Sequence, residues 1–210
     1  MISLVLADDH PATRAGIRAI LSEASDIQIV GEAQDGFEAE NLVFRLRPQI
    51  LLLDLKMPGP RPAEIEKWVR TNCPETATLI LTAHDRDAYL ATMLDGGASG
   101  YITKNESAER LINAIRRAAQ GDKLFTEEQY QRVFKWRGLV KNKLESLTNR
   151  EKEILPLLKE GLDNVKIAER LGVTPKTVAH HLTNIYEKLE MDSRQEVIAW
   201  IYTYLSDDLE

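Results

Sequence analysis

Three aspartates, a threonine and a lysine stand where apolar runs of this 210-residue chain end. Asp8 and Asp9 follow Ile2–Ala7, Asp54 follows Ile50-Leu51-Leu52-Leu53, Thr82 closes Leu79-Ile80-Leu81, and Lys104 comes just after Gly100-Tyr101-Ile102. An isolated aspartate after a strand is most often a turn cap. Three carboxylates gathered at one edge repel one another strongly, so such a cluster calls for a cation, and oxygen donors favour Mg²⁺ over a transition metal. No Ser/His/Asp or Cys/His set accompanies them, which argues against a hydrolase triad. The set suits phosphoryl transfer onto an aspartate, with Asp54 as nucleophile, Mg²⁺ neutralising the phosphoryl oxygens and Lys104 supplying a further cation.

That chemistry requires the apolar runs to be neighbouring strands. Ile2–Leu6, Ile27–Val30, Ile50–Leu53, Leu79–Leu81 and Gly100–Ile102 alternate with segments of helical spacing, such as Ile17, Ile20, Leu21 and Leu42, Leu46. Four unbroken apolar residues at 50–53 read as a strand buried on both faces. Five strands alternating with helices predict a parallel sheet covered on both sides, flavodoxin-like, of order 2-1-3-4-5. Ligands of such sheets bind beyond the carboxyl ends of the strands at the switch point, where Asp8, Asp9 and Asp54 fall.

Length allows one or two domains. A single cysteine, Cys73, excludes an internal disulfide framework. No run approaches eighteen apolar residues, and the N-terminus enters a strand directly, without the features of a leader. We read the protein as cytoplasmic, with no membrane partner.

Residues 1–121 resemble the receiver domain of two-component response regulators. The resemblance rests on Asp8-Asp9, Asp54-Leu55-Lys56-Met57-Pro58, Leu81-Thr82-Ala83 and Gly97-Ala98-Ser99-Gly100-Tyr101-Ile102-Thr103-Lys104. It implies that Asp54 is the phospho-acceptor, fed by a histidine kinase. It also implies that Asp9, Asp54 and the backbone carbonyl of Lys56 ligate Mg²⁺, with Asp8 acting mainly through water. Thr82 and Tyr101 would be the switch pair, the hydroxyl turning to the phosphoryl group and the ring moving from solvent into the space left behind. Arg61-Pro62 depart from the pattern, which has Asp-Gly there, and proline predicts a stiffer loop beside Asp54.

Residues 122–143 carry six Lys/Arg against three Asp/Glu, about +3. Thr126-Glu127-Glu128-Gln129 offers a helix start, with Tyr130, Val133, Phe134 and Trp136 as an apolar stripe. Gly, Ser and Pro are scarce, so we expect a partly helical linker.

From residue 144 to 210 four short helices are legible from their caps, making an all-α domain. Thr148-Asn149-Arg150-Glu151 is a capping box, Gly161 a stop, Asp163 a second cap, Gly172 a second stop, Thr174-Pro175 a third start and Ser193-Arg194-Gln195-Glu196 another box. Val178, Leu182, Ile185 and Leu189 share one face of the third helix. Two helices around Val173-Thr174 form a helix-turn-helix. A bundle used only for dimerisation would show the same bare pattern. The segment also resembles the LuxR-type DNA-binding domain, through Leu147-Thr148, Arg150-Glu151, Gly161-Leu162, Ile167-Ala168, Leu171, Thr177-Val178, His181, Asn184-Ile185, Lys188-Leu189 and Ser193-Arg194. Receiver plus this domain is the NarL/FixJ arrangement.

The resemblance puts DNA contacts on the outward face of the third helix. Candidates are Lys176 and Lys188 toward phosphates, His180 and Thr183 toward base edges of double-stranded DNA, and Thr177 beside them. The family usually has lysine where Ala179 stands, and residues 144–210 hold eight Lys/Arg against thirteen Asp/Glu, −5. Phosphate neutralisation carries much of DNA affinity, so binding should be weak and steeply salt-dependent. Adjacent helical residues diverge by about 100°, so His180 and His181 do not readily share a metal. The leading reading is a phosphorylation-controlled transcription regulator, dimeric when active and not an enzyme. An adaptor binding another regulator, and a metal-dependent phosphatase, are the alternatives.

Overall fold

The structure, a computed structural model, describes residues 1–83 and 85–204, with side chains through residue 202. Residues 205–210, assigned above to the C-terminal domain, lie outside the described residues. The chain forms two compact units, Met1–Gln131 and Arg132–Glu210.

In the first unit, strands β1 (Ile2–Ala7), β2 (Ile27–Ala33), β3 (Ile50–Leu53), β4 (Ala77–Thr82) and β5 (Gly100–Thr103) make one sheet in the order β2-β1-β3-β4-β5. Every pairing is parallel. Between them run α1 (Pro11–Ser22), α2 (Gly36–Leu46), α3 (Pro62–Asn72) and α4 (Asp87–Gly96), and α5 (Ala108–Ala118) follows. Alternate strand residues serve opposite faces. Leu4, Leu6, Ile50, Leu52, Leu79 and Leu81 are buried with Ile17 and Leu21 of α1 and with Leu111 and Ile115 of α5. Val5, Leu51, Leu53 and Ile80 point the other way and are equally enclosed, while α2, α3 and α4 pack in succession. All four residues of β3 are fully buried, as a central parallel strand demands.

The register decides what meets at the carboxyl edge. Ala7 pairs with Leu53, so Asp8 and Asp54 leave the sheet side by side, and the Asp54 N–H donates to Ala7 O at 2.9 Å. Thr82 pairs with Thr103, and the Lys104 N–H donates to Thr82 O at 2.9 Å. Arg61 and Pro62 begin α3. Arg61 is its N-cap, Pro62 opens the first turn, and the Arg61 N–H donates to Glu64 Oε2 at 2.8 Å. Proline is favoured there because that N–H has no helical partner.

Helix α6 (Glu127–Ser146) runs for twenty residues, takes in positions 127–143 of the segment read as a partly helical linker, and is started by Thr126, whose Oγ1 accepts from the Gln129 N–H. Of the apolar stripe expected on it, only Val133 is buried; Phe134 is largely exposed.

The second unit continues through α7 (Asn149–Lys159), α8 (Asn164–Leu171), α9 (Pro175–Leu189) and α10 (Arg194–Tyr204). Thr148, Asp163 and Thr174 each accept a hydrogen bond from a first-turn N–H, as their positions predict. Gly172 ends α8 at φ +65°, a conformation glycine adopts without Cβ strain. Val178, Leu182, Ile185 and Leu189 are buried with Ile154, Leu158, Ile167, Val197 and Ile201. Burying each large aliphatic side chain contributes roughly 1.5–3 kcal/mol.

Candidate functional site

Asp8 and Asp54 are 1% and 5% exposed at the carboxyl ends of β1 and β3. Lys104 bridges them from the end of β5, its Nζ 2.6 Å from Asp8 Oδ2 and 3.0 Å from Asp54 Oδ1. Burial disfavours the ammonium, but hydrogen bonds and charge from Asp8 and Asp54 outweigh that and raise the lysine pKa. The lysine is therefore a fixed cation. The second oxygen of Asp54 accepts from the Lys56 N–H at 3.3 Å, so the carboxylate is oriented from both sides. Asp8 Oδ1 accepts from the His10 N–H at 2.8 Å, so both Asp8 oxygens are occupied by protein donors.

Asp9 differs from both. Its Oδ1 is enclosed yet accepts no hydrogen bond, although His10 Nδ1 stands 2.6 Å away without the direction of one. Ligand atoms from Asp8, Asp9, His10 and Asp54 all lie within 4.8 Å of one another. A buried, unsatisfied carboxylate oxygen in a mainly oxygen-lined pocket fits a hard divalent cation. His10 and Arg14 also belong to this edge, though no motif marks them in the sequence. The Arg14 guanidinium donates to Asp8 O at 2.6 Å and lies 3.5 Å from Glu32 on β2, tying the Asp8–Asp9 turn to the sheet. Only the adjacency of His10 to Asp9 and the position of Arg14 in the first turn of the following helix hinted at these roles.

Thr82 is fully buried beside this edge. Tyr101 is buried too, and its carbonyl accepts from Gln129 Nε2 at 2.9 Å. This corrects the expectation of a ring that begins in solvent: in this structure it already lies inside.

On α9, Lys176, Ala179, His180 and Thr183 are exposed, with Glu187 on the same side. The Thr183 hydroxyl donates to Ala179 O at 3.2 Å. Thr177 is partly buried, and its hydroxyl shares a 2.9 Å hydrogen bond with Thr174 at the cap. Lys188 departs from its expected place as a phosphate contact. Its Nζ lies 2.7 Å from Glu151 Oε2, a carboxylate 2% exposed in α7 that also accepts from the Thr148 N–H at 2.8 Å. Desolvation raises the Glu151 pKa, but Lys188 and the Thr148 groups prevail and hold it below the usual range. A buried carboxylate needs a cation, and Lys188 is within reach.

Fold and site together define a receiver followed by a helix-turn-helix unit. Residues 4–116 match the response regulator receiver domain, and residues 145–201 match the bacterial regulatory proteins of the luxR family. The chain is 38% identical over 209 residues to the oxygen regulatory protein NreC of Staphylococcus epidermidis, covering 95% of this chain and 96% of that one. It superposes on the RcsB response regulator of Salmonella typhimurium with TM-score 0.67 at 25% identity, over 96% of this chain and all of that one. A structure of the two-component response regulator RcsB with DNA matches at TM-score 0.65 and 25% identity, over 97% and 98% of the two chains. The protein belongs to the response regulators that join a receiver domain to a LuxR-type DNA-binding domain. These are phosphorylation-dependent transcription regulators rather than enzymes. Among the described residues, no helix is long and apolar enough to cross a membrane.

Proposed function

We propose that Asp54 accepts the phosphoryl group from the phosphohistidine of a histidine kinase, and that this acceptance controls how α9 engages double-stranded DNA. The carrying observation is the buried Asp54 carboxylate, oriented by the Lys56 N–H and by Lys104. An Asp54 oxygen attacks phosphorus, the P–N bond breaks, and the kinase imidazole leaves with the electron pair. Lys104, held between Asp54 and Asp8, offsets the charge gathering on the acyl phosphate. Asp9, Asp54 and the Lys56 carbonyl would hold Mg²⁺, with Asp8 in support through water because its own oxygens already have donors. The ion would supply charge neutralisation for the phosphoryl oxygens.

Residues 1–121 would act as the receiver and 144–210 as the DNA-binding domain, joined through 122–143. On α9, Lys176 and the N-terminal turn at Thr177 would meet phosphates, and His180 and Thr183 would face base edges. Lys188 is better placed as a strut than as a phosphate contact. Thr82 and Tyr101 would carry the signal outward, and dimerisation would match paired half-sites.

The test is phosphorylation of the full chain with acetyl phosphate and Mg²⁺, followed by peptide mapping. Label should reside on Asp54 and vanish in Asp54→Asn. Equal labelling of the two proteins would refute the assignment.

A further inference from the structure

At the opposite end of the sheet from Asp54, a cavity of about 700 Å³ opens where β4 and β5 begin. It is lined by Glu66 and Arg70 of α3, Thr78 of β4, Gly97 and Ser99 before β5, and Lys123 after α5, among others. Cavities of several hundred Å³ are the size of small-molecule sites. None of these residues belongs to the phosphoryl-transfer pocket.

Two of the lining groups lack the partners that buried polar atoms normally have. Glu66 and Thr78 are 2% and 1% exposed, and neither Glu66 Oε2 nor Thr78 Oγ1 has a hydrogen-bond partner. The Thr78 hydroxyl lies close enough to ease the ionisation of Glu66 but short of full bonding geometry. Burial, the dominant influence, pushes the Glu66 carboxyl above the usual range. Glu66 is buried on α3 with the apolar Ile65 and Val69. A buried acceptor without a donor is destabilising, because the hydration it loses is not replaced.

The cations at the mouth are fixed as well. Arg70 Nη1 donates to Gly96 O at 2.8 Å, and Lys123 Nζ donates to Gly97 O at 2.6 Å and to Ala98 O at 3.2 Å. Gly97, at φ +92°, leaves room for the Arg70 guanidinium that a Cβ would occupy. The cavity thus presents an unsatisfied acid inside, with Arg70, Lys123 and the exposed carboxylate of Glu75 at its rim. A bare cation would be repelled by Arg70 and Lys123, and a simple anion would be opposed by Glu66 and Glu75.

We propose that this cavity binds a small zwitterion of the α-amino-acid class, its ammonium directed to Glu66 and Thr78 and its carboxylate to Arg70 and Lys123. The ammonium supplies the donors that Glu66 Oε2 and Thr78 Oγ1 lack. The carboxylate meets N–H groups that the turn carbonyls leave unused, since an ammonium has three donors and a guanidinium five.

The experiment is ¹H–¹⁵N NMR of the full-length protein titrated with L-serine and L-glutamine. N-acetylserine, which lacks the ammonium, and serinamide, which lacks the carboxylate, are the controls. At least one of the two amino acids should shift the amides of Glu66, Thr78, Gly97 and Ser99 saturably, and the controls at least about tenfold more weakly, as for loss of one charge-assisted hydrogen bond. Glu66→Gln should lose the same margin while still accepting phosphate on Asp54. Lys123→Met, at an exposed position, should weaken amino-acid binding and leave the response to serinamide unaltered. Absence of saturable shifts with both amino acids up to about 20 mM, or equal shifts with both controls, would overturn the proposal. So would a crystal structure with either amino acid at that concentration showing only ordered water on Glu66 and Thr78.

Discussion

Replacing Lys188 by methionine should destabilise the second unit and leave the ionic character of DNA binding unchanged. Lys188 Nζ is 2.7 Å from a Glu151 oxygen, and Glu151 is 2% exposed while the lysine side chain is 34% exposed. Removing one member of a fully buried pair costs about 3–5 kcal/mol, because the remaining charge is stranded. Water reaches Lys188, which screens part of that, and Glu151 keeps the Thr148 N–H at 2.8 Å. The expected loss is therefore about 2 kcal/mol, or a shift of about 1–2 M in the urea midpoint. Trp200, buried in this unit, reports unfolding once Trp68 and Trp136 are replaced by phenylalanine. The pH dependence follows from the sign of the Glu151 shift. A carboxyl whose folded pKa is depressed contributes stability above its unfolded pKa and loses it as pH falls through the folded one. The gap between wild type and Lys188→Met should therefore narrow on acidification below the usual glutamate range. In DNA titrations the slope of log affinity against log salt should match that of wild type. Unchanged stability together with a slope reduced by about one ion would refute the reasoning and make Lys188 a phosphate contact.

Other expectations concern the pocket, the DNA face and the switch. Mg²⁺ at ten times its dissociation constant should stabilise the first unit by about 1.4 kcal/mol; scanning calorimetry with and without chelator should show this in wild type and not in Asp9→Asn. Ala179→Lys should tighten binding to most sequences and steepen the salt slope by about one ion; unchanged affinity at every salt concentration would show that position 179 does not approach the backbone. Thr82→Ala should still take phosphate but lose most of a coupling on the order of 1–3 kcal/mol, read as dimerisation by sedimentation with and without acetyl phosphate. A mutant that dimerises as fully as wild type would exclude Thr82 from the coupling.

Parts whose causes are local can be read from the order of the residues. Four apolar residues before Asp54 specify a strand covered on both faces, and a carboxylate at its end is displayed wherever the strand stops. Thr148, Asp163, Thr174 and Gly172 set helix ends through bonds and backbone angles within a few residues of themselves. The convergence of Asp8, Asp54 and Lys104 was legible too, because parallel strands of known order have their carboxyl ends on one edge. Tertiary structure alone decided which charged groups were already engaged. Lys188 lies thirty-seven positions from Glu151, so its pairing depends on a distance that no spacing encodes. The same holds for Tyr101, enclosed rather than facing water, and for Glu66, which looks like any helical glutamate until α3 is packed with its carboxyl inward. Local bonds are fixed by neighbours along the chain, whereas desolvation depends on everything that folds around a group, and that is settled only when the whole unit closes.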